Sequence, residues 1–265
     1  MVYSKVHKVD RPRAVVLITH GIGEHLGRYT ELVDALQKEN LTVFLYDLPG
    51  YGQTLSQSGP LQSFSQLSTA INAQYKLANQ YAQNHNIPLF LFGHSLGGLI
   101  TAHFMSTIQP HCRGVILSAP AIDAGGLANG VVIGLAKYLS MLMPNLPYLK
   151  IKSSDLSRDT SEVEKYESDP LVDRSRITLK VGYILLQAMA ETKANIDGLN
   201  RPLLMIQGEK DAIVKMIATR RYFQELKMED KTYISYPNML HETLNELDNE
   251  IVYRDIVTWI LDRLS

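Results

Sequence analysis

Five short stretches of almost uninterrupted apolar residues punctuate this chain, and they decide its fold class. They are residues 14–19 (AVVLIT), 42–46 (TVFLY), 88–92 (PLFLF), 114–118 (GVILS) and 203–207 (LLMIQ). A strand with one wet face alternates apolar and polar residues. A strand without that alternation is covered on both faces, as in a parallel sheet flanked by helices. A sixth run, residues 231–236 (KTYISY), is more polar and suits a sheet edge. Helical stripes lie between the runs: Tyr29, Leu32, Val33 and Leu36; Phe64, Leu67, Ile71 and Ala78; Leu99, Ile100, His103 and Phe104; Val252, Ile256, Trp259, Ile260 and Leu264. Strand and helix in alternation predict an α/β fold, an open and mostly parallel sheet with helices on both faces.

The alternation breaks between about residues 121 and 200. Helical patterns and loops are found there, but no convincing strand. Residues 125–143 are apolar with one charge, residues 153–169 are polar and loop-like, and residues 177–196 are helical again. An insertion of this size between two buried strands predicts a helical cap over the end of the sheet where ligands bind. Residues 1–120 and 201–265 would then form a discontinuous core, and residues 121–200 the cap. Three readings, not mutually exclusive, stand for the apolar helix at 127–143: packing on the core, lining an acyl pocket, or touching a membrane surface.

Composition narrows the function. The 265 residues are 45% hydrophobic with a formal net charge of −1, which excludes an intrinsically disordered chain and gives no support to nucleic-acid binding through a basic surface. Cys112 is the single cysteine, so neither an internal disulfide nor a Cys-rich zinc site is available, and it reads as a small core or loop residue. Residues 1–10 lack the apolar core of a signal peptide. Residues 125–143 come closest to a membrane span, but Lys137 interrupts them and Pro144 ends them. The expected compartment is cytoplasmic.

The chemistry concentrates at Gly93-His94-Ser95-Leu96-Gly97-Gly98, between the run 88–92 and the helical stripe that starts at Leu99. A serine on a tight strand-to-helix turn, with glycines two before and two after, is a nucleophile elbow. Such a serine needs a base, and the base an orienting carboxylate, each on a loop after a later strand. His241 follows the run 231–236, whereas His103 and His111 come too early. The loop after 203–207 offers Glu209 and Asp211. Asp211, deeper in the loop, is the preferred acid. Two amides must meet the oxyanion: that of Leu96, after the nucleophile, and that of Ile22, in the His20-Gly-Ile-Gly-Glu-His25 loop after the first run. The same loop imitates a dinucleotide fingerprint, but position 26 is Leu rather than Gly, and that reading leaves Ser95, Asp211 and His241 without a role.

With these residues in place, the chain resembles the α/β-hydrolases of the monoacylglycerol lipase and lysophospholipase group. The resemblance rests on HGIGEHLGRY (20–29), DLPGYGQ (47–53), GHSLGG (93–98), QGEKD (207–211) and HETLNE (241–246). In the cap it rests on IKSSDLSR (151–158) and YESDPL (166–171). It runs from about residue 12 to the C-terminus. It implies the family's sheet with the cap after the sixth family strand; the segment before Ala14 is short where the family usually has more β-structure, so the first strand is expected to be lost and about seven strands, rather than eight, to remain. Thr54 stands where the group more often has serine.

The resemblance implies a serine ester hydrolase that cleaves monoacylglycerol-type lipids through an acyl-enzyme, without cofactor or metal. Ser95, Asp211 and His241 would be its triad, and Ile22 and Leu96 its oxyanion donors. Glu24, Arg28, His94 and Tyr166 would surround the alcohol. Simpler readings stand beside these: Glu24 and Arg28, four apart, as an ion pair bracing the loop, Tyr166 as a packed cap residue, and His103 as a core histidine. His20 and His25 have no metal-ligand spacing. Lys150, Lys152 and Arg158 would either meet a phosphate or be solvated. The rival activities are lysophospholipase, small-ester esterase or acyltransferase, and, more remotely, a binding module without catalysis. The expected partners are a small lipid ester and, transiently, the membrane or micelle that carries it.

Overall fold

The computed structural model describes residues 2–54, 61–124 and 129–264. The strands among these residues are β1 (Ser4–His7), β2 (Ala14–Thr19), β3 (Leu41–Tyr46), β4 (Leu89–His94), β5 (Gly114–Ser118), β6 (Pro147–Leu149), β7 (Ile177–Thr178), β8 (Leu203–Gly208) and β9 (Lys231–Tyr236). All but β6 and β7 belong to one seven-stranded sheet, in the order β1-β3-β2-β4-β5-β8-β9. Its neighbours are parallel except β1, which runs antiparallel to β3.

The apolar runs are uninterrupted because both faces of the sheet are covered. Val15, Leu17, Leu91, Val115 and Leu117 join the core on one face, with residues of α2 (Phe64–His85) and α3 (Leu96–Thr107). Val16, Ile18, Phe90, Phe92 and Ile116 join the other, with α1 (Thr30–Lys38) and α8 (Asn249–Leu261). β9 is the polar edge strand its sequence predicts, half-buried along most of its length. The remaining core helix, α7 (Met216–Glu225), connects β8 to β9.

The sheet has the seven strands expected; the one before Ala14, β1, is short and exposed, and Ser-Lys-Val-His offers no apolar run by which to find it. Two expectations need correction. The region 121–200 holds strands, since β6 and β7 pair antiparallel in a small separate sheet. Strands this short show no period. Finally, residues 153–169 are not simply loop. Asp159 accepts a hydrogen bond from the Ser161 amide and caps α5 (Thr160–Ser168), whose polar sequence hid it.

The insertion is completed by α4 (Gly130–Leu142) and α6 (Leu179–Ala194). The start of the predicted 127–143 helix, residues 127 and 128, lies outside the described residues. In α4 only Ser140 is buried, and Val131 is 83% and Met141 72% exposed. Packing on the core is therefore not what this helix does. Among the described residues, no helix is long and apolar enough to cross a membrane.

Candidate active site

Ser95 stands between β4 and α3 with φ +51° and ψ −115°. A non-glycine residue rarely adopts this conformation, and it is held only where its surroundings over-determine it. The surroundings here are tight backbone contacts. A Cβ on Gly97 would stand 2.1 Å from the Thr19 carbonyl oxygen, and one on Gly93 would stand 2.3 Å from the Gly97 carbonyl oxygen. Only glycine at both positions lets α3 start against β2 and β4, which is the physical content of the Gly-x-Ser-x-Gly pattern. The Ser95 amide donates to the Ser118 carbonyl at 2.9 Å and ties the turn to β5.

The three residues proposed from sequence converge. Ser95 Oγ donates to His241 Nε2 at 2.9 Å, and His241 Nδ1 donates to Asp211 Oδ2 at 2.8 Å. All three are buried. Asp211 is fixed in turn: its Oδ1 accepts from the Ile213 and Val214 amides at 2.8 and 2.9 Å, and its Oδ2 from Gln207 Nε2 at 3.2 Å. Glu209, the competing carboxylate, is exposed and accepts from Ser235 instead. Burial opposes charge on His241, but the neighbouring Asp211 carboxylate outweighs it and leaves the imidazole more basic than an ordinary histidine. Burial likewise opposes charge on Asp211, and His241 and the loop amides overcome it and hold its pKa below the usual range.

Ile22 and Leu96 border the cavity that contains Ser95. Leu96 is the first residue of α3, where amides have no carbonyl one turn earlier to bond. The loop bearing Ile22 is braced from both sides. His20 bonds the Gly21 carbonyl through Nδ1 and accepts the Leu48 amide at Nε2, 2.8 Å. Asp47 accepts the Leu26 and Gln53 amides. Thr54 donates to the Leu48 carbonyl at 2.7 Å, so a hydroxyl still closes this turn where the related group more often has serine.

Glu24 and Arg28 do not brace the loop as an ion pair with each other. Glu24 Oε2 accepts the Gly21 amide at 3.0 Å and the Tyr29 hydroxyl at 2.8 Å. Arg28 reaches instead to Glu242, the residue after the triad histidine, at 2.5 Å. Its guanidinium also lies over the Tyr166 ring, 5.0 Å from the centroid. Tyr166 is both a packed residue, clustered with Leu156 and Val172, and a wall of the site. The His94 ring lies 4.9 Å from that of His241, and its Nδ1 meets Ser118 Oγ at 3.1 Å. Burial, reinforced by His241, pushes the His94 imidazole down to about 3, so it is neutral. His103 packs edge-on against Phe64 and reaches Glu191 of α6 at 3.3 Å, so it links the core to the insertion. Arg158 is neither freely solvated nor available to a phosphate: it pairs with buried Glu246 at 2.9 Å. Lys150 and Lys152 are exposed. Among the described residues, no group of three or more His, Cys, Asp or Glu side chains is placed to hold a metal ion.

Three cavities meet at Ile22 and Ile151. One of about 610 Å³ opens from Ser95 and Leu96 and is walled by apolar residues of α4 and α6, including Leu135, Leu139 and Met189. A second, of about 10 Å³, has room for roughly one water and is bounded by Glu24, His94, Ser95, Tyr166, His241 and Glu242. A third, of about 630 Å³, is lined by Tyr51, Tyr166, Arg174 and Arg176, among others. The arrangement puts an activated serine between a long apolar chamber and a small polar one. Sequence reasoning missed Glu242. Its only signal was adjacency to His241, because its partner Arg28 lies 214 positions away.

Known proteins resemble the chain in sequence and in fold. Residues 10–248 match the hydrolase family described as serine aminopeptidase, S33. The chain is 31% identical to rat monoglyceride lipase over 96% of its own length and 84% of that protein. It is 30% identical to phospholipase YtpA of Bacillus subtilis, over 93% and 95%. The crystal structure of Paleococcus ferrophilus monoacylglycerol lipase superposes with a TM-score of 0.84 at 29% identity, covering 99% of each chain.

Proposed function

From the premise that this chain belongs to the serine aminopeptidase S33 family of α/β-hydrolases, we propose that it is a serine ester hydrolase acting on monoacylglycerols. The observation that carries the reading is the continuous Ser95–His241–Asp211 hydrogen-bond chain at the mouth of an apolar chamber of acyl-chain size. Ser95 attacks the ester carbonyl as His241 takes its proton. The amides of Ile22 and Leu96 receive the negative charge on the carbonyl oxygen. The protonated His241 then gives its proton to the departing alcohol, and water releases the fatty acid from the acyl-enzyme. Asp211 holds the imidazole in the tautomer that accepts from Ser95.

In this reading the chamber under α4 and α6 takes the acyl chain, and the alcohol goes to the polar side bordered by Glu24, His94 and Tyr166, with Arg28 over the Tyr166 ring; the void there, about 10 Å³, must widen to admit glycerol. Residues 121–200 act as the cap over a core formed by residues 1–120 and 201–265. The exposed apolar side of α4, including Val131, Tyr138 and Met141, rests transiently on the membrane or micelle that supplies substrate. The site of action is cytoplasmic, at membrane surfaces. Similarity to a phospholipase keeps lysophospholipid hydrolysis as the second reading. Initial rates on 1-monoacylglycerol, lysophosphatidylcholine and a p-nitrophenyl ester of equal acyl length, with Ser95→Ala as blank, test both. The expected order puts the monoacylglycerol first among the natural esters. A higher kcat/KM on the lysophospholipid would replace this reading with the second. Failure of a fluorophosphonate to label Ser95 would remove the hydrolase mechanism itself.

A further inference from the structure

Of the three cavities that meet at Ile22 and Ile151, the largest, about 630 Å³, has no part in the hydrolytic steps above. Its volume is that of a small-molecule site, and its wall is unlike that of the acyl chamber. Arg174, Arg176 and Lys180 border it, against one carboxylate, Asp173. Asp173 Oδ1 already accepts the Ser175 amide at 2.9 Å. The cations meet neutral groups. Arg174 Nη1 donates to the carbonyls of Tyr166, Glu167 and Asp169 at the end of α5, and Lys180 donates to the Gln62 side chain. Arg176 is exposed and pairs with no carboxylate among the described residues. Three cations thus stand together with little local compensation, in a chain whose net charge is −1. The cavity also adjoins the reacting centre. Ile22 and Ile151 border it, the acyl chamber and the void beside Ser95 alike, and Tyr166 borders it and that void. The Asp173 amide, one residue before Arg174, donates to the Gly23 carbonyl at 2.9 Å, so the cationic loop is tied to the loop that carries Ile22.

We infer that this cavity is a phosphoryl subsite, in which Arg176 and Lys180, with Arg174 beside them, receive the phosphate of a glycerol phosphate, and that cleavage of anionic lysophospholipids is a further activity of the chain. The inference rests on the proposed esterase reading and gives its second substrate class a place to bind. A phosphate brings several acceptor oxygens, and the guanidinium fork of Arg176 and the ammonium of Lys180 supply charged donors for them. A choline head adds a fixed cation that meets three others, so the preferred head groups carry net negative charge. The chemistry at the ester is unchanged. Ser95 takes the acyl group, the acyl C–O bond breaks, the glycerol phosphate leaves with the proton from His241, and water frees the fatty acid. Lys150, Lys152 and Arg158, the phosphate candidates read from sequence, do not border this cavity.

The test compares kcat/KM for 1-lauroylglycerol 3-phosphate, 1-lauroyl-lysophosphatidylcholine and 1-lauroylglycerol, each below its micelle-forming concentration so that charge at a lipid surface plays no part. Wild type is expected to favour the 3-phosphate over the choline lipid by about tenfold or more. Arg176→Gln with Lys180→Gln is expected to lower kcat/KM for the 3-phosphate about tenfold or more, and that for 1-lauroylglycerol by less than about threefold. Arg176→Lys with Lys180→Arg keeps both charges and is expected to stay within about threefold of wild type on both. Parallel losses on both substrates in the glutamine variant would make the two residues supports of the fold and overturn the proposal. A choline lipid cleaved as well as the 3-phosphate would also overturn it, and so would a charge-keeping variant as poor as the glutamine one. Calorimetric titration of the Ser95→Ala protein separates a lipid head group from a free phosphate. 1-Lauroylglycerol 3-phosphate is expected to bind about tenfold or more tighter than inorganic phosphate or sn-glycerol 3-phosphate. Free phosphates that bind as tightly as the lipid, with no cleavage of that lipid by wild type, would overturn the further activity. If the glutamine variant does not fold, the wild-type preference and the titration still decide. Wild type that cleaves 1-lauroylglycerol but neither phospholipid sinks this inference alone, whereas wild type that cleaves none of the three sinks the esterase reading.

Discussion

The two halves of the insertion touch the site in different ways. Residues 151–173 are stitched to the core by polar contacts, and they reach the loops that carry Ile22 and His241. His25 of the loop that carries Ile22 donates to Asp169 at 2.8 Å, and the Asp173 amide donates to the Gly23 carbonyl at 2.9 Å. On the histidine side, the Glu242 amide donates to the Leu156 carbonyl, Ser157 Oγ to the Asn245 carbonyl, and Arg158 to Glu246. Residues 130–149 are tied within the insertion: β6 pairs with β7, and the Leu146 and Pro144 carbonyls accept the Leu179 and Lys180 amides. α4 leans on α6, and Val131, Tyr138, Met141 and Leu142 are turned outward. Hydrogen bonds fix direction and distance, whereas apolar contact tolerates sliding. The side of Ser95 bordered by residues 151–173 is therefore fixed in shape, while the side under α4 has room to adjust.

Experiments can break or sharpen this contrast. In the proposed mechanism both halves serve one nucleophile, so Ser95→Ala should reduce hydrolysis of every ester by about 10⁵-fold or more; turnover of any one substrate at the wild-type rate would reveal a second site. Asp211→Asn should reduce kcat by about 10⁴-fold through loss of the correct imidazole tautomer. If Glu209→Gln were the damaging change, the acid would be misassigned. His241 must be neutral to act as base, and Asp211 makes it more basic than usual. The acid limb of kcat/KM should therefore lie above the ordinary histidine value of 6.5 in wild type and shift to lower pH in Asp211→Asn.

Smaller effects separate the halves. Arg158→Ala leaves the fully buried Glu246 carboxylate without its cation, although the arginine is itself partly exposed. It should cost about 2 kcal/mol in chemical denaturation and reduce discrimination among alcohols. Val131→Ser with Met141→Ser should change stability by no more than about 0.5 kcal/mol, because neither residue is buried. The double variant should nonetheless sediment less with liposomes. Undiminished sedimentation would mean that the exposed side of α4 does not meet lipid.

Legibility in the sequence follows the range of each interaction. The elbow was readable because its causes are local: two glycines, a serine, and a strand and helix on either side. The buried strands were readable because parallel pairing leaves no polar alternation. β1 was not, since an exposed edge of four residues needs no apolar pattern. α5 was not, because a polar helix docked by a few hydrogen bonds lacks a stripe. The pairing of Arg28 with Glu242, and of His25 with Asp169, spans 214 and 144 positions. Nothing local announces such pairs; the i,i+4 spacing of Glu24 and Arg28 suggested a bond between them that their distant partners replace.

The backbone of Ser95 has one more consequence. A residue at φ +51° and ψ −115° is uncomfortable for any side chain and easiest for glycine, which has none. Activity and durability therefore pull against each other at this single position. Replacing the serine with glycine would relax the turn and, in the proposed mechanism, silence the enzyme, so the sheet beneath must be sturdy enough to keep this residue in a posture it would not choose.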